Sequence, residues 1–285
     1  MKIEQIHPCF VARVSGLDLR QPLDATTRTA LVDALDRHGV LLFTGQHLDD
    51  TQLAAFGRCF GPLYTAKAGF GVDREIIRLS NLDEEGQLLP EGHRTRKANE
   101  ANDFWHVDNS FSEPPALYSA LLALVVPPEG GETEFADARA GYDALPENRK
   151  AELEDLVAEH SFIHSRSLTG FTDFTAEQRA GLPPRRRRLI KMNPHTGRKA
   201  LYLSSHIASI SGRTDDQTRA LLQELTELTT RPQYVYTHRW TPGDLLMYDN
   251  RAVLHRARPY PSMSHPRDMR ALRVQDGPDP DHLPS

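Results

Sequence analysis

The chain has 285 residues, 39% of them hydrophobic and 26% charged, enough for one large globular domain or two small ones. A formal net charge of −5 gives no general attraction to polyanions, and two cysteines are too few for a disulfide scaffold. No apolar run approaches the roughly 18 residues of a membrane-spanning helix, and the opening MKIEQIHPCF lacks the apolar core of a signal peptide, so a cytoplasmic protein that binds neither nucleic acid nor membrane is expected.

Strand signals come first at residues 10–19 (FVARVSGLDL) and 40–44. Between them Asp24 is placed to N-cap a helix whose Leu31, Ala34 and Leu35 form an apolar stripe and whose stop is Gly39. A second helix is expected near 50–59, and residues 76–82 read as a strand. FWHVDNSF (104–111) follows, then the β-rich run ALYSALLALVV (116–126), closed by PPEGG. After GGETEFADA the pattern turns helical through GYDALPENRKAELEDLVAEH, divided at Pro146, with Leu153, Leu156 and Val157 at helical spacing. Residues 165–198, rich in Gly, Pro and Arg, suggest a long irregular loop and a candidate active-site lid. Its basic run, residues 185–188, reads as a solvated loop rather than a phosphate patch. Residues 214–229 form an amphipathic helix, and YVYTHRW (234–240), GDLLMYDN (243–250) and MRALRVQ (269–275) are again β-like. Strands separated by inserted helices, without βαβ alternation, point to a β-sandwich or barrel core carrying helices outside.

Within FWHVDNSF, His106 and Asp108 sit one residue apart. In a strand, residues i and i+2 share a face, so the pair could aim at one point. Such a triplet is common by chance and is weak evidence alone. GDLLMYDNRAVLHRARPY places His255 just after a turn that follows a buried strand, and PRDMRALRV supplies Arg267, a residue type suited to bidentate capture of a carboxylate. Two histidines and one carboxylate on one face of an octahedral Fe(II) leave positions for a chelating cosubstrate and O2. Zinc would keep three such ligands and one water. Ligand type alone therefore leaves a metal-dependent hydrolase or isomerase as the alternative.

IHPCFVARVSGLDLRQPL, GVLLFTGQ, FGPL, ANDFWHVDNSF, VVPPEGGETEFADARAGYDALP, GRKALYL and HRWTPGDLLMYDNRAVLHRA occur in the order and spacing of a known family. Over nearly its whole length the chain resembles the Fe(II)/2-oxoglutarate dioxygenases of the taurine and 2,4-dichlorophenoxyacetate dioxygenase family, nearest to the dichlorophenoxyacetate branch. The resemblance implies one domain over 1–285, mainly β with flanking α, built on a double-stranded β-helix (jelly-roll) core. It implies that His106, Asp108 and His255 ligate Fe(II), and that Arg267 and Thr133 of GGETEF hold the distal carboxylate of 2-oxoglutarate. The activity implied is oxidation of an unactivated C–H bond by O2, with release of succinate and CO2. A hydrolase or isomerase on the same scaffold would leave Arg267 and Thr133 without a task. A small anionic or zwitterionic substrate is implied, an amino acid or small carboxylate being favoured, along with assembly into a homodimer or homotetramer. In the taurine branch an arginine four residues after the 2-oxoglutarate arginine grips the sulfonate; here that position is Ala271, which argues against taurine and against dichlorophenoxyacetate. Arg270 and Arg273 stand nearby, Arg270 alternating out of phase with that position. Candidate substrate contacts are Asn102, Lys67, His206 and Arg270, while Trp105 and Tyr248 read as packing. His160, His164, His195 and His238 lack ligand spacing and read as structural or exposed.

Overall fold

Asp24 accepts the amide of Thr27 through its side chain and Gly39 turns the chain at φ 73°, so the first helix runs Ala25–His38 with Leu31 and Leu35 buried. The structure, a computed structural model, describes residues 1–65 and 74–277. A capping box between Asp49 and Gln52 starts the second helix, Asp50–Arg58, and another between Thr214 and Gln217 starts Asp215–Thr229. The strands begin with β1 (Lys2–Gln5), β2 (Ala12–Ser15), β3 (Val40–Phe43) and β4 (Ile77–Ser80), then the long β5 (Ala116–Val125) and β6 (Thr133–Asp137). Next come β7 (Val157–His160), β8 (Arg185–Arg188), β9 (Ile190–Met192), β10 (Lys199–Leu201) and β11 (Ile207–Ile210). The last four are β12 (Val235–His238), β13 (Leu245–Asp249), β14 (Val253–Ala257) and β15 (Asp268–Gln275).

Seven strands make a major sheet in the order β1-β2-β3-β13-β5-β15-β4, and β12-β6-β14 make a minor sheet facing it. One face of the major sheet, through Leu41, Leu122, Met247 and Leu272, packs on Leu31, Leu35, Leu53 and Phe56 of the first two helices. Its other face, through Leu121, Leu246, Met269 and Ala271, meets Phe135 and Val253 of the minor sheet. The outer face of the minor sheet, with Ala136 and Leu254, packs on Leu221 and Leu225 of the helix Asp215–Thr229. Both faces of the major sheet are thus covered, which is why β5 reads ALYSALLALV, apolar almost throughout. This is the expected sandwich with helices outside, mainly β with flanking α. No helix among the described residues is long and apolar enough to cross a membrane.

Two expected elements differ. The helix read through residue 160 ends at Leu153, and β7 takes Val157–His160 into a three-stranded sheet of order β11-β7-β8. The expected loop at 165–198 contains the helices Phe162–Ser167 and Ala176–Gly181 and the strands β8 and β9. The basic run is therefore a strand, and Arg187 within it is only 1% exposed. Its guanidinium donates to the carbonyls of Ser110 and Ser112 and pairs with Glu113, pinning the turn that follows Asp108. A charged run looks solvated in a sequence because the carbonyls that receive it lie far away in the chain.

Arg187→Ala should strip those carbonyls and Glu113 of their donor, costing about 2–4 kcal/mol. Thermal unfolding should then fall by roughly 3–7 °C; an unchanged midpoint would mean that Arg187 contributes nothing to holding this turn.

Candidate active site

His106 and His255 face each other through a single antiparallel bridge in which each amide donates to the other's carbonyl, at 3.0 and 2.9 Å. Residues directly opposite in such a pair project side chains to the same face, and the two imidazole centroids lie 4.2 Å apart. Their neighbours Val107 and Leu254 point the other way, into the outer core. His106 is the only residue of its segment in a bridge; Asp108 already lies in a turn, so the pair is not carried by a regular strand. The turn continues through Asn109 at φ 49°, a left-handed conformation that asparagine tolerates, and the Asp108 amide donates to Asn250 Oδ1 at 2.9 Å.

The ligand atoms of His106, Asp108 and His255 lie within 4.8 Å of one another, and all three residues are buried. His106 Nδ1 lies 2.8 Å from the Phe104 carbonyl, which turns Nε2 toward Asp108. His255 Nε2 is 3.6 Å from Asp108 Oδ2. Burial lowers the pKa of His106 and, with the charge of His106, pushes His255 down to about 3, so both imidazoles are neutral near pH 7. Burial alone would raise the Asp108 carboxyl, but Arg273 and the two histidines outweigh it and hold the group well below the usual carboxylate range. Two neutral nitrogens and one ionised oxygen converging from three sides fit a divalent transition metal, with the remaining sides free for other ligands.

The carboxylate is held from the major sheet. Tyr248 on β13, Ser119 on β5 and Arg273 on β15 are cross-strand partners in one row. Tyr248 donates its hydroxyl to Asp108 Oδ2 at 2.9 Å and Arg273 Nη2 donates to Oδ1 at 2.8 Å. Ser119 receives Asn250 Nδ2, the residue that also takes the Asp108 amide. Beside the triad opens a cavity of about 230 Å3 with His106 and His255 in its floor and Asn102, Thr133, Tyr260 and Arg267 in its walls. Arg267 precedes β15 and is buried; its amide donates to Asn81 Oδ1, its Nη2 to the Gly131 carbonyl, and its Nε has no partner among the described residues. Thr133 Oγ1 accepts from Trp240 Nε1 at 3.0 Å, which leaves the threonine proton to donate elsewhere.

The structure brings together His106, Asp108, His255, Thr133, Arg267 and Asn102. His206 lies behind His106, edge-on at 6.0 Å. Lys67 falls outside the described residues. Arg270 is a correction: it shares the helix-side face with Leu272 and pairs with Asp268 and Asp50, away from the cavity. Tyr248 is a second correction, since its hydroxyl reaches a candidate ligand instead of only packing. Arg273 was legible through parity, because 269, 271 and 273 alternate to one face; Trp240 and Asn250 carried no signal.

The sequence signature described as "Taurine catabolism dioxygenase TauD, TfdA family" matches residues 2–274. The chain is 42% identical over 280 residues to an alpha-ketoglutarate-dependent 2,4-dichlorophenoxyacetate dioxygenase of Cupriavidus pinatubonensis, covering 95% of this chain and 96% of that one. It is 36% identical over 284 residues to an (S)-phenoxypropionate/alpha-ketoglutarate-dioxygenase of Sphingobium herbicidovorans, covering 97% and 95%. The crystal structure of AAD-2 in complex with Mn(II) and N-oxalylglycine superposes with a TM-score of 0.91 at 42% identity, over 100% of this chain and 99% of that one.

Imidazoles of ordinary pKa would cost a two-histidine site about a hundredfold in metal affinity between pH 7.5 and pH 5.5. With His255 lowered to about 3, His106 is the imidazole left to compete with protons in that window, and its pKa is lowered too, so Mn(II) affinity of the metal-free protein should fall by less than about tenfold. Titration of free Mn(II) by electron paramagnetic resonance measures this, and a hundredfold loss would show that the imidazoles titrate normally.

Proposed function

The chain belongs to the taurine catabolism dioxygenase TauD, TfdA family, and from that membership we propose that His106, Asp108 and His255 hold Fe(II), that Arg267 and Thr133 bind the distal carboxylate of 2-oxoglutarate, and that the substrate is a small carboxylate, amino acids included. The enzyme is an Fe(II)- and 2-oxoglutarate-dependent dioxygenase using O2. The observation that carries the residue assignment is one cavity in which the metal triad forms the floor and a buried, partly unpaired guanidinium forms the wall. What iron supplies there is oxidation of an unactivated C–H bond, coupled to conversion of 2-oxoglutarate into succinate and CO2.

The protein's own part is placement. Arg267 offers its unpaired Nε and Thr133 its proton to a carboxylate at the far end of the cavity, at a distance from the triad set by the strands that carry them. Tyr248 and Arg273 fix the two oxygens of Asp108, so the donor set keeps its orientation as ligands exchange. A lid role is retained for residues 165–181 only, since 185–188 are locked in a sheet. An aromatic group beside the site, Phe111, Phe162 and Phe174, gives an apolar wall for a substrate body. Ala271 does not weigh against a carboxylate substrate, because Arg273 brings a guanidinium to the same face.

Succinate formation from 2-oxoglutarate with Fe(II) should be detectable in the wild type, rise with a productive carboxylate, and vanish in His106→Ala and Asp108→Ala. Arg267→Ala should weaken 2-oxoglutarate binding by roughly 2–5 kcal/mol. A screen over carboxylates, sulfonates and aryloxyacids, read by succinate and by product mass, tests the substrate class. Stimulation by sulfonates alone would reject the carboxylate, and unchanged 2-oxoglutarate affinity in Arg267→Ala would reassign its anchor.

A further inference from the structure

Arg267 and Thr133 account for one side of the triad. Elsewhere around the triad the described residues leave a second set of buried donors without partners. Arg273 has a side chain only 11% exposed and spends one nitrogen on Asp108, yet its Nε and Nη1 bond to no described residue. Arg166, on the helix Phe162–Ser167, donates Nη1 to the Ala98 carbonyl and lies 4.6 Å over the Phe162 ring, while its buried Nε is also unpaired. His206 is 4% exposed, sits edge-on to His106 and to Phe111, and its Nδ1 has no partner.

These groups flank the triad. Arg166 lies over Phe162, Phe162 meets Phe111, Phe111 meets His206 at 4.7 Å and His206 meets His106 at 6.0 Å, while Arg273 touches Asp108. Burial followed by the charge of Arg273 lowers Arg166 to about 10. Two buried guanidiniums with donors left over are unfavourable unless an anion arrives. Asp108 cannot serve both: it accepts from Arg273 through one oxygen and from Tyr248 through the other, and a metal dication would draw on its charge further. A structural salt bridge would use the guanidinium fork in full, as Arg139 does with Asp137 and Arg251 with Asp249.

We propose that Arg273, which lines the same cavity as Arg267, and Arg166, with His206 beside them, form a second oxyanion subsite distinct from the Arg267–Thr133 end, and that this subsite fixes the carboxylate of the primary substrate. The inference rests on the dioxygenase reading and adds the residues that choose the substrate. Phe111, edge-on to His206, and Phe162, under the Arg166 guanidinium, form a ring pair with centroids 5.0 Å apart that suits a carboxylate carried on a short apolar or aromatic body. Arg166 belongs to the segment that retains the lid role, so a substrate anion there would also tie that helix to β15.

The test is an anaerobic titration of the wild-type protein loaded with Fe(II) and 2-oxoglutarate, followed through the visible metal-to-ligand charge-transfer band, with phenoxyacetate and its neutral amide as probes. Phenoxyacetate should bind at least about tenfold more tightly than phenoxyacetamide. Arg166→Leu, which touches no candidate metal ligand, should weaken phenoxyacetate by about tenfold or more while leaving phenoxyacetamide and 2-oxoglutarate affinities within about threefold. Arg273→Lys should keep part of the preference for the anion and Arg273→Met should lose it. Equal binding of the two probes in the wild type, binding of neither, or wild-type phenoxyacetate affinity in Arg166→Leu and Arg273→Met, overturns the subsite while leaving the band intact. Absence of the band itself in the wild type would sink the dioxygenase reading, and the subsite with it.

Discussion

Everything at the site depends on the two reciprocal backbone hydrogen bonds between His106 and His255. They put residues from distant parts of the chain directly opposite each other, so their side chains need no long reach to share a ligand. The register is set elsewhere: β14 pairs with β6 so that His255 faces Phe135 and Ala257 faces Thr133. Because side chains alternate along a strand, Thr133 and Phe135 project to the same side. The same ladder thus positions a candidate metal donor and the threonine proposed for the cosubstrate at once. A slip of one residue would turn His255 into the outer core and bring Leu254 to the site, which the packing of Leu254 against that core forbids.

Electrostatics then ready that geometry. Burial disfavours charge on any of the three donors, which suits the imidazoles and works against the carboxylate. The conflict is resolved from the facing sheet, where Tyr248, Ser119 and Arg273 lie in one transverse row and, directly or through Asn250, fix Asp108. The minor sheet, through β14 and the segment bridged to it, therefore contributes neutral nitrogen donors, and the major sheet supplies the groups that keep the oxygen donor ionised. The sandwich is the device that lets opposite demands meet at one point.

Features that depend on neighbours in sequence were legible. Asp24 and Gly39 bound a helix, Thr214 and Gln217 start another, and the unbroken apolar run of β5 announces a strand covered on both faces. Features that depend on distant carbonyls or on strand phase were not. Residues 185–188 looked solvated because nothing nearby says that Ser110 and Ser112 will receive Arg187. Residues 157–160 looked helical because Leu153, Leu156 and Val157 fit that spacing, whereas pairing with β8 and β11 overrides it. At the site, ligand types and the arginine of PRDMRALRV were readable as a motif, but the partners of Asp108 belong to three adjacent strands and leave no contiguous trace.

The arginines of β15 show how far strand phase alone can decide a role. Arg270 and Arg273 are close in sequence and identical in chemistry, yet one reaches Asp50 on the helix side and the other reaches Asp108 inside the sandwich. Along the inner face, positions 271 and 273 differ by one side-chain repeat, roughly 7 Å of strand. The row at 271 is apolar, Ala271 with Leu121 and Leu246, and a guanidinium there would lie among hydrocarbon side chains. The row at 273 is polar, with Ser119 and Tyr248 as cross-strand partners, and it ends at a carboxylate. A cation moved by two residues keeps its face and changes its row, and with the row it changes which part of the cavity can receive an anion. Specificity in such a sandwich is therefore set by the strand position of a charge as much as by its presence.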